Sequence, residues 1–265
     1  MKTAFERTVD EGQTRLHRTL PGLLATGALG GIDVGIGLFA FFVILEETDQ
    51  PLVAALGFSI GFIALTLAQS ELFTENFLVP VAAVAARKAR VSQVFRLWAG
   101  TMLTNLIGGW LIMAIALASL PKIKATAVEA GRHFIDMGIT WEAFASAVMG
   151  GAVITLMTWM ERGTSSTVGK LVAAISAGFL LSAAVLNHAI VRSLEMFAAL
   201  EVGAPFGYLD WLGSFAWASL GNIVGGIGLV TMLRLVQVGS EKVDQERDRP
   251  KEESRADSDK EEAST

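Results

Sequence analysis

Six windows of this sequence are long, apolar and nearly free of charge: residues 20–45, 51–86, 97–121, 141–160, 168–200 and 211–238. Each is at least as long as the ~20 residues that carry an α-helix across the hydrocarbon core of a bilayer. Hydrophobic residues make up 52% of the 265 and charged residues 18%, and the charges gather between the windows and at the ends. The expected class is an all-α polytopic membrane protein, with the lipid bilayer as its first partner.

Two windows break the pattern. The 51–86 window is too long for one straight crossing of a ~30 Å core. Ser70–Pro80, SELFTENFLVP, interrupts it with Glu71, Glu75 and Asn76. The 168–200 window is interrupted in the same way within Leu181–Phe197, LSAAVLNHAIVRSLEMF, which carries Asn187, His188, Arg192 and Glu195. Polar side chains at membrane depth are costly, face protein or water, and mark pathways. Irregular backbone at that depth persists only where protein or a cavity covers it. The second and fifth helices are therefore expected to be broken, with the breaks meeting in mid-bilayer as one permeation site.

An internal repeat organises the six spans. TNLIGG at Thr104–Gly109 returns as GNIVGG at Gly221–Gly226, an offset of 117 (222 − 105), and Gly30-Gly31 returns as Gly150-Gly151 after 120. The 117 offset also carries Glu71 onto His188 and Glu75 onto Arg192. Three spans per half make the second half inverted, and such repeats place their site at the junction of the halves. The same offset predicts a buried Glu75–Arg192 ion pair locking the two breaks. Alternatively, Arg192 stays unpaired and attracts anions.

Residues 1–19 read as a basic amphipathic helix on the cytoplasmic membrane surface, 20–240 as the channel domain, and 241–265 as a charged, structureless cytoplasmic tail. Arg87, Lys88, Arg90, Arg96, Arg162 and Lys170 fall on one side, opposite Glu46, Glu47, Asp49, Glu201 and Asp210. By the positive-inside rule both termini are cytoplasmic. The charged first twenty residues do not read as a cleavable signal.

Enzymatic chemistry is not expected, because no nucleophile–base pair, phosphate loop or metal set is present. There is no cysteine, and His17, His133 and His188 are too scattered to hold a metal. No cofactor and no nucleic-acid partner are expected. His188 is the one histidine placed to share a proton with a passing weak acid, or else it braces its break by hydrogen bonds. Glu71 reads more simply as a brace.

GFSIGFIALTLAQSELFTEN (57–76), LNHAIV (186–191) and GNIVGG in the last span stand in the order found in the formate/nitrite transporter family. The chain resembles that family over about 20–238, and its LFTEN variant is similar to a divergent, YfdC-like branch. The resemblance implies an aquaporin-like protomer of six helices and a homopentamer in the inner cell membrane. It also implies passage of small monovalent anions such as formate, nitrite or hydrosulfide. It matches His188 to the central pore histidine and Thr74 to the threonine of the broken second helix. Leu72 matches the inner constriction, and Phe58, Phe62 and Leu181 match the outer one, with Gly151 and Ile154 of the fourth span placed alongside. The family's anion-attracting lysine has no counterpart, its fourth-span asparagine falls on Gly151, and the asparagine after the histidine falls on Arg192. These departures leave a neutral-solute or water pore as the competing function, and a sensor acting through the charged tail as a third.

Overall fold

In the computed structural model, which describes residues 3–249, every regular element among the described residues is helical. Helix α1 (Ala4–His17) leads into the long α2 (Leu20–Thr48). Helices α3 (Pro51–Ala68) and α4 (Val79–Ala85) flank the first interruption, and α5 (Val91–Ser119) follows. The second half opens with α6 (Lys124–Met137) and α7 (Trp141–Arg162). Helices α8 (Thr167–Ala183) and α9 (Ala189–Glu201) flank the second interruption. Finally α10 (Tyr208–Ile223) passes through a π-helical stretch, Val224–Thr231, into α11 (Met232–Val238), and α12 (Ser240–Asp248) follows.

Among the described residues five helical segments are long and apolar enough to cross a membrane: Leu20–Thr48, Pro51–Ala68, Val91–Ser119, Trp141–Gly163 and Tyr208–Val238. Phe73–Ala85 and Thr167–Ala183 are shorter apolar segments. Leu29, Leu56, Leu103, Ile107, Leu229 and Leu233 point outward and exposed, as a lipid-facing surface requires.

Between lipid-exposed helices the hydrophobic effect gives little drive, so close packing must hold them together. Small residues provide it. A Cβ on Gly31 of α2 would run into the Asn105 carbonyl, and one on Gly108 of α5 into the Ala28 carbonyl. The main core gathers Phe58, Phe62, Leu72, Phe73, Phe77, Ile154, Leu181, Ile190 and Leu194, so both interruptions run through its centre.

The ends of the described chain depart from expectation. Helix α1 starts with a capping box, Thr3 and Glu6 bonding each other's backbone N–H at 2.9 and 3.2 Å. Its apolar face is turned onto α4: Phe5 and Val9 bury against Ala82 and Ala86, and Leu16 against Ala83. Residues 241–248 of the expected structureless tail lie in a helix, Ser240–Asp248. Its Val243 packs beside the Phe5–Val9 cluster, and Arg249 pairs with Asp10 of α1. The tail from 250 onward lies outside the described residues.

Helix α6 belongs to none of the expected spans, yet it lies on α9 much as α1 lies on α4. A Cβ on Gly12 of α1 would collide with the Val79 carbonyl and Ala83. One on Gly131 of α6 would meet the Glu195 carbonyl and Ala199. The contacted residues are offset by 116 in both cases (195 − 79 and 199 − 83).

Candidate functional site

The first interruption begins where Gln69 takes a left-handed backbone (φ 55°) and ends α3. The chain then turns through a 3₁₀ segment, Phe73–Phe77, and re-enters a helix at Val79, where Pro80 in the first turn removes a donor no partner would satisfy. The second begins with Val185, a β-branched residue held at φ 49°. Such a conformation persists only where the surroundings impose it. His188 is the N-cap of α9.

One asparagine braces each interruption. Asn105 Nδ2 donates to the carbonyls of Gly27 (2.6 Å) and Glu71 (2.8 Å), while its Oδ1 accepts Phe73 N–H at 2.8 Å. Asn222 Nδ2 donates to the carbonyls of Ala147 (2.7 Å) and Asn187 (2.9 Å), and its Oδ1 accepts Ala189 N–H at 2.9 Å. In each case one side chain satisfies two otherwise orphaned backbone groups of the interruption and ties them to a carbonyl of a neighbouring helix. Gly30 and Gly150 admit these amides closely, since a Cβ on either would crowd the braced carbonyl and the amide nitrogen.

The braces correct the register. They make Glu71 equivalent to Asn187 and Phe73 to Ala189, an offset of 116 (187 − 71) rather than 117. Leu72, not Glu71, then corresponds to His188, and Asn76, not Glu75, to Arg192. The reason is that the loops differ by one residue from the glycine motifs that set the sequence offset.

The two interruptions touch at one polar contact. Thr74 Oγ1 lies 2.7 Å from His188 Nε2, and both residues are completely buried. His188 Nδ1 accepts Val191 N–H at 3.3 Å, capping its own helix. With Nδ1 occupied as an acceptor, the ring proton sits on Nε2 and is donated to Thr74, leaving the threonine hydroxyl proton free for another acceptor. Two of the first three N–H groups of α9 are thus already bonded within the protein.

Of the remaining expected residues, Asn187 bonds to α7, its Nδ2 donating to Ala143 O (3.2 Å) and its N–H to Ser146 Oγ (3.0 Å). Phe58 and Phe62 meet edge to face, centroids 5.6 Å apart, and lie in the same buried cluster as Leu72, Leu181 and Ile154. Gly151 does not belong with them. A Cβ there would overlap the Asn222 carbonyl, so its role is close packing of α7 on α10.

The Glu75–Arg192 pair is absent, and each residue has a local partner instead. Arg192 Nη1 donates to both Glu195 oxygens (2.7 and 2.6 Å), its Nε to Leu186 O (2.8 Å), and its guanidinium lies 4.1 Å from the Phe134 ring centroid of α6. Glu75 accepts Leu72 N–H at 3.2 Å and faces Arg15 of α1 at 3.7 Å. The version in which Arg192 stays unpaired fails for the same reason: one turn of helix brings Glu195 to it.

Arg15 is the residue that sequence reasoning missed. Only 5% exposed, it reaches Glu11 (2.8 Å), Glu71 (3.6 Å), Glu75 and the Asn76 Oδ1 (3.1 Å), while Arg18 pairs with Glu71. Burial works against the Glu11 carboxylate, but the Arg15 and Arg162 guanidiniums outweigh it and hold its pKa at about 2, below the ordinary 4.5. Asn105 and Asn222 were visible as the repeated N of TNLIGG and GNIVGG, although their bracing role was not.

The formate/nitrite transporter family model matches residues 2–236. The inner membrane protein YfdC of Escherichia coli is 28% identical over 246 residues, covering 88% of this chain and 77% of that one. The formate channel BtFdhC of Bacillus thuringiensis is 24% identical over 85% of this chain and 90% of its own. A pentameric formate channel solved with formate bound superposes with a TM-score of 0.71 at 22% identity, over 82% of this chain and 97% of that one, which establishes the shared fold. An all-helical bundle with several membrane-length apolar helices, two interruptions meeting at Thr74 and His188, and a family match over most of its length make this chain a member of the formate/nitrite transporter family.

Proposed function

We propose that the chain forms a homopentameric pore for small monovalent weak-acid anions, such as formate, nitrite and hydrosulfide, with one pathway per protomer. In this reading it lies in the inner membrane with both termini cytoplasmic. The six crossings are α2, α3 with α4, α5, α7, α8 with α9, and α10 with α11, arranged as an inverted 3+3 repeat of aquaporin-like plan with the second and fifth broken. The names of the relatives support substrate, assembly and membrane. The pairing of α12 with α1 supports a common side for the termini.

The observation that carries the reading is the Thr74–His188 contact at the centre of an apolar core. An anion passing Phe58, Phe62 and Leu181 on one side, or Leu72 on the other, sheds water at steep cost. Between them the Thr74 hydroxyl, held by His188 Nε2–H, donates its own proton to the anion. Asn187, Glu71, Glu75, Asn76 and Arg192 shape and hold this pathway, and Ile154 lines it. Proton coupling through His188 would put a second proton on Nδ1 and release Val191 N–H. Uptake of formate and nitrite into proteoliposomes tests the reading. His188→Asn is expected to reduce it tenfold or more, about 1.4 kcal/mol of barrier; wild-type uptake in that variant would overturn it. A neutral-solute pore is the second reading, favoured because Glu195 neutralises Arg192. Water or formamide flux without anion flux would establish it.

A further inference from the structure

Resting on the anion-pore reading, a second proton-handling group stands out on the α1 side of Thr74 and His188. Glu161, near the end of α7, is 4% exposed, and its Oε1 accepts the Thr66 hydroxyl at 2.9 Å. Thr66 lies one turn from Phe62, whose carbonyl it also bonds at 2.8 Å. Among the described residues no arginine or lysine nitrogen lies within ion-pair distance of Glu161.

Glu75 is within electrostatic reach of Glu161 and is almost as poorly compensated. Among the described residues its one contacting cation is Arg15 at 3.7 Å, and Arg15 is shared with Glu11, Glu71 and Asn76. The other charges facing Glu161 are Arg162 on its own helix, Arg15 on α1 and Lys170 on α8, each acting at longer range. Arg162 is occupied by Glu11 at 3.5 Å, and Arg18 by Glu71. The Glu71 Oε2, also fully buried, has no hydrogen-bond partner. The cluster thus holds more buried carboxylate oxygens than donors in contact with them. A buried carboxylate without a contacting cation takes up a proton or a cation.

The geometry points to Glu161, backed by Glu75, as a proton-loading site that delivers a proton to the anion on the α1 side of the Leu72 constriction. In that step the carboxyl O–H bond of Glu161 breaks and a new O–H bond forms on an oxygen of formate. Neutral formic acid enters the constriction, and Glu161 is left as carboxylate until Glu75 and the adjoining water return a proton. Such a donor spares His188 the loss of its Val191 cap.

Infrared spectra of the purified full-length protein at neutral pH test the inference without any transport assay. The expected result is a protonated-carboxyl carbonyl band that is lost or moved in Glu161→Gln and shifted in Glu75→Gln. A wild type without that band, or a band unchanged in both variants, would overturn it. In proteoliposomes, formate flux of the wild type should depend on pH on the α1 side, and Glu161→Gln should lose that dependence. Formate flux in a wild type lacking the band refutes the carboxyl donor alone, whereas a band without any anion flux refutes the pore reading.

Discussion

The interruption around Glu71–Phe77 and the one around Val185–His188 share a backbone brace but draw their guanidinium from opposite partners. Each is held by one asparagine bonded to two carbonyls and one N–H, and each is covered by a fourteen-residue helix, α1 or α6. At the equivalent positions Asn76 and Arg192, however, the chemistry is exchanged. On the first side the covering helix supplies Arg15 and the interruption supplies Asn76. On the second the interruption supplies Arg192 and the covering helix supplies the Phe134 ring. The matching asparagine braces fix where the chain must turn, while the side chains around them make one side a network of carboxylates and the other a closed ion pair beneath an aromatic ring.

The largest effect is expected where the two regions are alike. Asn105→Leu and Asn222→Leu each leave two buried backbone groups of the interruption unpaired, at about 1–3 kcal/mol apiece. Both variants should fail to yield folded protein by size-exclusion profile in detergent. If one tolerates the change and the other does not, the braces are not equivalent. Arg15→Ala comes next, because it strips Glu11, Glu71 and Glu75 of their shared cation, and about 3–5 kcal/mol is expected from thermal unfolding. Arg192→Ala, which strands Glu195 alone, should cost less, and the reverse order would invert the contrast.

Phe134→Leu removes only the ring under Arg192, for about 0.5–2 kcal/mol. It should loosen α6, seen as faster amide exchange there, and leave exchange in α1 unchanged. The smallest effect is a pH response. Because the folded-state pKa of Glu11 is depressed to about 2 from 4.5, its contribution to holding α1 is present above pH 4.5 and lost as pH falls from about 4.5 towards 2. A fluorophore on α1 should report release over that window. In Glu11→Gln the release should no longer follow it.

Several apolar helices of membrane length and the glycine pairs were legible because each follows from local rules, span length and close packing of small residues; six such windows were expected, and among the described residues five helices reach that length. Thr74 and His188 were legible through motif resemblance, and they come together. The Glu75–Arg192 pair was misread because a one-residue difference in loop length separates the glycine-motif offset from the loop register. Glu161 and Arg15 gave no signal, since nothing in EGQTRLH or MTWMER announces which distant carboxylates they will face.

The sequence by itself determined that this chain is an all-helical protein with several apolar helices of membrane length, because hydropathy and the hydrogen-bonding needs of a backbone in lipid act over twenty-residue lengths. Only the tertiary structure decided which residues are equivalent across the halves, that α1 and α12 fold back on the bundle, and which carboxylates go without a cation. Those outcomes depend on ångström-scale contacts between segments a hundred residues apart, which no local pattern encodes.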